Sequence, residues 1–395
     1  MISKKMQPLV ANNSVIRAMF EEGQKMAKEF GAENVFDFSL GNPNVPAPKE
    51  VNQAIIDIVT NVDPVKVHGY MSNAGFPETR KAVADNLNRR FGTGFNENNI
   101  IMTVGAGSAL NVILKTMLDP GDEVICLAPY FVEYGNYIRN YDGELVVISA
   151  NPEEGFMPKF GELEEKITSK TKALIINNPN NPTGVVYPEE VIVRLAELLD
   201  KKQKEFGTVI YLISDEPYRE LAYRGAQVPY LTKYYANTIV GYSYSKSLSL
   251  PGERIGYIVI PEESDGAREF FDAAVIANRV SGSVNAPSLM QLVIERCIDA
   301  KCEVEYYERN GRKLYDELTA MGFECVEPEG AFYLWMKSPV SDEKEFTAKA
   351  KEYNILMVPG SSFAGPGYVR ISYCVSYEQI ERSIPKFKEL AKNYF

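Results

Sequence analysis

The sequence predicts an α/β protein: a mostly parallel, seven-stranded sheet, followed by a smaller α+β region. Three observations carry that expectation. From about residue 80 to 280, short apolar runs alternate with helical stretches. Several of those runs lack polar alternation, as strands covered on both faces do. Beyond residue 280 the texture changes, and 395 residues exceed what one hydrophobic core usually serves, so two domains are expected.

Taken in order, residues 1–45 hold an amphipathic helix over Ser14–Phe30, with Ile16, Phe20 and Met26 on one side. A short strand in Phe36–Pro46 follows, broken by Gly41 and two prolines. A helix near Glu50–Thr60 leads into a loop holding His68, Tyr70 and Gly75. The seven sheet runs are Ile100–Val104, Glu123–Ala128, Glu144–Ile148, Lys172–Asn177, Thr208–Ser214, Thr238–Ser243 and Ile255–Ile260. Among the intervening helices, one starts at Pro188 and sets Val191, Leu195 and Leu198 on one stripe. A long helical region, Ala286–Met321, precedes strands at Phe323–Val326, Ala331–Met336, Ile355–Val358 and Tyr368–Tyr373, and a last helix at Tyr377–Tyr394. The expected division is residues 1–45 as a segment packing with the small domain, 46–282 as the large domain and 283–395 as the small one.

Composition narrows the chemistry. A net charge of −11 argues against a general nucleic-acid or anionic-membrane binder. No apolar run approaches a membrane span, and the first residues form no signal-peptide core, so a cytoplasmic protein is expected. The five cysteines form no Cys-x-x-Cys pair. With His68 the single histidine, His-based triads and multi-histidine metal sites fall away, and no metal is expected. Acid–base chemistry is left to Lys, Tyr, Asp or Glu, with His68 a minor candidate.

In parallel sheets, ligand-contacting residues gather beyond the C-terminal ends of strands. Four polar motifs each follow an apolar run: Gly105–Leu110, Asn178–Gly184, Asp215–Tyr218 and Ser243–Lys246. All four converge on one rim. Lys246 suits condensation with an aldehyde cofactor, with Ser243, Ser245 and Arg254 on that cofactor's phosphate; it also reads as a solvated lysine in a Ser/Gly-rich loop. Gly105, Ala106 and Gly107 ahead of a helix suit a phosphate, or simply a glycine turn. Asp215 suits a protonated pyridine nitrogen, or an N-cap. Asn181 and Tyr218 suit hydrogen bonds to a phenolic oxygen, or a turn residue and a half-buried ring. Phe131 offers a face to stack on a ring, or to the core. Arg370, alternating with Val369 and Ile371 on a strand, suits bidentate carboxylate binding, or an exposed edge.

In this order and spacing the motifs Asn-Pro-x-x-Pro-Thr-Gly (Asn178–Gly184), Ser-Asp-Glu-Pro-Tyr (Ser214–Tyr218), Ser-x-Ser-Lys with Arg254, Gly-Ala-Phe-Tyr (Gly330–Tyr333) and Val-Arg-Ile-Ser (Val369–Ser372) resemble the class I aminotransferases, pyridoxal-phosphate enzymes of fold type I. The likeness covers nearly the whole chain. It implies that Lys246 carries the cofactor and shuttles the proton, Asp215 pairs with the ring nitrogen, Asn181 and Tyr218 bond the ring oxygen and Phe131 stacks. It implies phosphate binding by Ala106, Gly107, Ser243 and Arg254, and α-carboxylate binding by Arg370, Asn181 and the backbone at Gly41. Tyr70 resembles a tyrosine that reaches the neighbouring subunit's phosphate, which implies a homodimer with shared active sites. The implied reaction moves an amino group from an L-amino acid to a 2-oxo acid. Arg279 precedes Asn285-Ala-Pro287, where one subgroup holds an arginine for a second carboxylate, here one residue out of register. That points first to an aspartate or glutamate donor, although the lysine another subgroup places near Gly107 is absent. The surrounding rings of Phe131, Tyr130, Tyr134, Phe332 and Tyr333 equally suit aromatic or neutral amino acids, and carbon–sulfur β-lyase activity is a further alternative.

Overall fold

The strands that build the site alternate with helices because their sequences switch between fully apolar runs and amphipathic ones. The architecture comes from a computed structural model, which describes residues 2–11 and 15–395, with the backbone alone at Pro8, Ala11, Ile16 and Arg17. In chain order the strands are β1 (Phe36–Asp37), β2 (Ile100–Thr103), β3 (Glu123–Leu127), β4 (Glu144–Ile148), β5 (Thr171–Asn177), β6 (Tyr211–Asp215), β7 (Thr238–Ser243) and β8 (Gly256–Val259). They continue with β9 (Cys325–Val326), β10 (Tyr333–Lys337), β11 (Ile355–Leu356), β12 (Val358–Pro359) and β13 (Tyr368–Ser372).

Seven of these form one sheet in the order β2-β8-β7-β6-β5-β3-β4. Every pairing is parallel except those of β8, which runs against both β2 and β7. All seven expected runs are present, so the mostly parallel sheet is as the sequence predicts. The central strands are covered on both faces, with Leu174, Leu212, Leu195 and Leu199 on one side and Ala173, Ile213, Ile239, Ile113 and Ala274 on the other. Each fully buried leucine or isoleucine among them contributes about 1.5–3 kcal/mol. The reversal at β8 matters for the site, because Gly256 pairs with both Thr103 and Ser243. Arg254, two residues earlier, thereby stands at the same rim as the C-terminal ends of β2 and β7.

A four-stranded sheet, β12-β13-β10-β9, and the parallel pair β1-β11 complete the sheets. Pairing of Phe36 with Ile355 ties the N-terminal segment to the C-terminal region. Phe38, Tyr307, Leu314, Phe332, Ile371 and Phe387 share one core there.

Several local expectations shift. The N-terminal helix spans Val15–Phe30, with Met19 and Met26 against Val35 and Leu356; the expected start at Ser14 and the Ile16 side chain lie outside the described residues. The helix after Pro188 runs Glu189–Phe206, ending at left-handed Gly207, and it is Ile192 rather than Val191 that is fully buried with Leu195 and Leu199. The long helical region expected over Ala286–Met321 consists of two helices, Ser288–Cys297 and Val304–Ala320. The expected strand at Ile355–Val358 divides into β11 and β12, which serve different sheets. Among the described residues no helix is long and apolar enough to cross a membrane.

Candidate active site

Three strands of the large sheet end in polar residues at one rim. β5 ends at Asn177, β6 at Asp215 and β7 at Ser243. Beside them the helix Ala106–Met117 starts just after β2, directing its first backbone N–H groups at the same space. A cleft of about 310 Å³ opens there, lined by Ala106, Gly107, Phe131, Asn181, Asp215, Tyr218, Ser243, Ser245, Lys246, Arg254, Arg370 and Gly41 among others. The structure thus brings twelve of the sequence-predicted residues to one cavity.

Lys246 sits in the short helix Tyr244–Ser247, capped by Ser243, whose hydroxyl accepts from the Ser245 N–H. Its Nζ donates to the Gly41 carbonyl oxygen at 2.7 Å. The side chain is open to the cleft yet surrounded by protein, and that burial pulls its ammonium down to about 8, with the Arg370 and Arg254 charges acting in the same direction. Asp215 is buried, which pushes its carboxyl up to about 7, against a lowering hydrogen bond from Tyr134. Its Oδ2 accepts from the Tyr134 hydroxyl at 2.5 Å, while Oδ1 is buried with no hydrogen-bond partner. It does not act as an N-cap; it closes β6, and its backbone oxygen accepts from Asn177 Nδ2 at 2.9 Å.

Arg370 projects from β13 and is also buried, so the exposed-edge alternative does not hold. One terminal nitrogen donates to Asn181 Oδ1 at 3.0 Å, the other to the Ser39 carbonyl oxygen at 2.6 Å, and Nε has no partner. The guanidinium lies 4.4 Å from the Tyr333 ring centroid and 4.6 Å from that of Phe363. Ser372, one alternation along, donates to the Leu40 carbonyl oxygen at 3.1 Å. Three donors from distant elements thereby stitch the Ser39–Gly41 loop to the cleft. Glycine is needed at 41, because a Cβ there would run into the Tyr333 hydroxyl. That hydroxyl is hydrogen-bonded to Tyr218 at 2.8 Å.

At the other end of the cleft, Gly105 adopts φ +80°, and a Cβ there would stand 2.8 Å from a terminal nitrogen of Arg254. Arg254 itself spans from the Pro251 carbonyl oxygen to that of Val104. Guanidinium, helix N-terminus and the Ser243 and Ser245 hydroxyls make an anion cradle of the kind a phosphate requires. An amine lowered by burial, a carboxylate oxygen without a partner and this cradle fit the three polar ends of pyridoxal phosphate. Phe131 lines the cleft between them and meets Tyr134 edge-on.

Two predicted residues are elsewhere. Tyr70 is 93% exposed and Arg279 is exposed at the end of the helix Ala267–Asn278; neither lines this chain's own cleft. His68 is exposed as well. Conversely, the sequence reading missed Asn177 and Tyr137, credited Tyr134 only as one of the surrounding rings, and credited Tyr333 as such a ring and as the end of the Gly330–Tyr333 motif. Asn177 carries a usable signal, as the last polar residue of an apolar run. Tyr134 becomes visible only once a helix is known to begin after Phe131.

A half-buried lysine and a buried aspartate at the C-terminal rim of a parallel sheet, next to an anion cradle, define a protein of the pyridoxal-phosphate class. The family model for aminotransferase class I and II matches residues 33–387, and the chain belongs to that family. An aspartate/prephenate aminotransferase of Thermus thermophilus is 35% identical over 360 residues, 88% of this chain and 89% of its own. The crystal structure of an amino transferase from Eubacterium rectale superposes with a TM-score of 0.97 at 46% identity, over 100% of this chain and 99% of that one. The aspartate aminotransferase of Thermus thermophilus with maleate superposes with a TM-score of 0.88 at 30% identity, covering 99% of both. The chain is a pyridoxal-phosphate-dependent aminotransferase of fold type I, with amino acid and 2-oxo acid substrates.

Proposed function

We propose that this aminotransferase prefers an acidic amino donor, of the aspartate or glutamate type, and that it works as a homodimer in the cytoplasm. The observation that carries the site assignment is the shared cleft of Lys246, Asp215 and Arg370. Bound there, pyridoxal phosphate supplies an aldehyde that condenses with an amine and a ring that accepts the electron pair released at the substrate Cα. Lys246, lowered to about 8, holds a substantial neutral fraction near that pH and can take a proton from Cα and return it. Asp215 balances positive charge on the ring nitrogen through its unpartnered oxygen. Asn181 and Tyr218 bond the ring oxygen, and Phe131 covers the ring face. Backbone N–H groups at Ala106 and Gly107, with Ser243, Ser245 and Arg254, hold the phosphate, and Gly105 leaves Arg254 its room.

Arg370 receives the α-carboxylate with Asn181 and the backbone at Gly41. The partner subunit's Tyr70 completes the phosphate site, a reading supported by its exposure outside its own cleft. Arg279, likewise exposed, is assigned to the second carboxylate of an acidic substrate across the same interface. The names of the Thermus relatives, and maleate in one of their crystals, support an acidic donor. Five free cysteines suit a reducing cytoplasm. We also read residues 1–45 as a segment packed with the small domain, 46–282 as the large domain and 283–395 as the small one, supported by the separate sheets.

The test compares kcat/KM for aspartate, tyrosine and alanine in the wild type and in Arg279→Ala, with sedimentation to give the oligomeric state. Aspartate should be the best donor and should lose most in the variant. A poor aspartate donor left unchanged by the substitution overturns the acidic assignment, and an active monomer overturns the shared site.

A further inference from the structure

We propose that Tyr134 is a positioning residue for transamination: its hydroxyl holds Asp215 as the anion and turns the other carboxylate oxygen toward the cofactor's ring nitrogen. This rests on the reading of Asp215 as the partner of that nitrogen. The carboxylate is asymmetric. Oδ2 accepts from Tyr134 at 2.5 Å, whereas Oδ1 is buried and has no partner. Asp215 lines the cleft and Tyr134 does not, which leaves the unpartnered Oδ1 as the oxygen free to meet the ligand. The backbone of Asp215 is held separately, by Asn177, and the side chain has Tyr134 as its one hydrogen-bond donor among the described residues.

Without that donor the carboxylate has poor reasons to stay charged. Burial is the main force raising its pKa, and the neighbouring Glu216 pushes the same way. Tyr134 opposes both. The phenol is itself raised well above its ordinary value, by burial first and then by the Asp215 charge, so it keeps its proton and acts purely as a donor. The remaining titratable groups facing the pair are Tyr218, Tyr137 and Cys126, all raised by burial and neutral near pH 7. Among the described residues no cation acts on the Asp215 carboxyl. A proton placed between Asp215 and a pyridine nitrogen rests on the nitrogen only if the carboxylate is the better-stabilised anion. The Tyr134 hydroxyl therefore sets where that proton lies, and with it how well the ring withdraws electrons.

Tyr134 also fills space: it meets Phe131 edge-on at 5.7 Å and lies parallel to Tyr130 at 6.3 Å. Tyr134→Phe keeps the ring and removes the donor, which separates the two roles. The experiment reconstitutes wild type, Tyr134→Phe and Asp215→Asn with pyridoxal phosphate carrying ¹⁵N in the ring, and follows the nitrogen resonance across pH. In Tyr134→Phe the resonance should move toward the unprotonated form at a lower pH than in wild type. kcat should fall about 10- to 100-fold, with KM changing far less, as expected for a lost hydrogen bond to a charged group. A folded Tyr134→Phe with the wild-type nitrogen titration overturns the proposal, even if cofactor affinity drops, because a space-filling role alone predicts that result. An unchanged titration in Asp215→Asn would instead overturn the reading of Asp215 itself. Should Tyr134→Phe not fold, 3-fluorotyrosine at position 134 keeps the shape and strengthens the donor. The nitrogen should then hold its proton to a higher pH, and an unchanged midpoint counts against Tyr134.

Discussion

Asp215 and Glu216 are neighbours in sequence, both acidic and both buried, yet they live in opposite circumstances. Glu216 is saturated. Its two oxygens accept from Arg219 at 2.5 and 2.6 Å and from the Ser214 hydroxyl at 2.7 Å. Arg219 in turn donates to the Val228 and Pro229 carbonyl oxygens and lies over the rings of Phe91 and Tyr230. Asp215 has one donor and a bare oxygen. The same contrast separates two of the buried arginines, since Arg219 is paired with a carboxylate while Arg370 retains an unpartnered Nε at the cleft. A buried charge that the protein satisfies completely holds the fold in place, whereas one left incomplete at a cavity wall is shaped for a ligand.

The largest effect should come from the amine at the centre of the incomplete set. Lys246→Ala should cut transamination at least about 10⁴-fold while the folded chain still binds cofactor non-covalently. Reductive trapping of the cofactor on a different lysine would break the assignment. The acidic pair then gives a double dissociation. Asp215→Ala should lower kcat about 10²–10³-fold with little loss of stability. Glu216→Gln should strand the Arg219 charge and cost about 3–5 kcal/mol in denaturant unfolding, with activity per folded molecule nearly retained. Equal stability losses in the two variants would erase the distinction. The arginines repeat the contrast on a smaller scale. Arg370→Lys should lower kcat/KM about 10- to 100-fold for every amino donor, whereas Arg219→Lys should act chiefly on stability.

The smallest effect is in the pH dependence of the cofactor-free chain. Asp215 is raised on folding from 3.8 to about 7, so the folded state holds its proton more tightly. Its contribution to stability is full below 3.8 and is lost as pH rises through 7. Lys246 is lowered from 10.5 to about 8, so its contribution is full above 10.5 and is lost as pH falls through 8. Thermal melts should show both slopes, on the order of a few °C each. Asp215→Asn should flatten the acid one and Lys246→Met the alkaline one, while Glu216→Gln should only shrink the acid one, since burial is the larger cause, and leave the alkaline one in place.

Much of this was legible in the sequence because it is written in local pattern. Apolar runs without alternation mark strands buried on both faces, and polar residues at their ends mark the rim. The seven strands of the large sheet, the Asn178–Gly184 loop, Asp215 and Lys246 could all be read that way. Other features were hidden for identifiable reasons. Asp215 and Glu216 look alike in a sequence, because hydrogen-bond saturation depends on Arg219, Ser214 and Tyr134 taking up particular positions. The break between Cys297 and Val304 divides a stretch that carries helical periodicity on both sides.

The sequence by itself therefore determined the fold class, the rim and the chemical types gathered on it, since burial periodicity and strand ends are properties of a few neighbouring residues. The tertiary structure alone decided which groups meet. It brought Ser39 to Arg370 across 331 positions and Gly41 to Lys246 across 205, and by reversing β8 it turned Arg254 back to the helix that begins at Ala106. It also gave Tyr134 to Asp215 across 81 positions. Contacts at such separations follow from how the whole chain closes on itself, which no local period records.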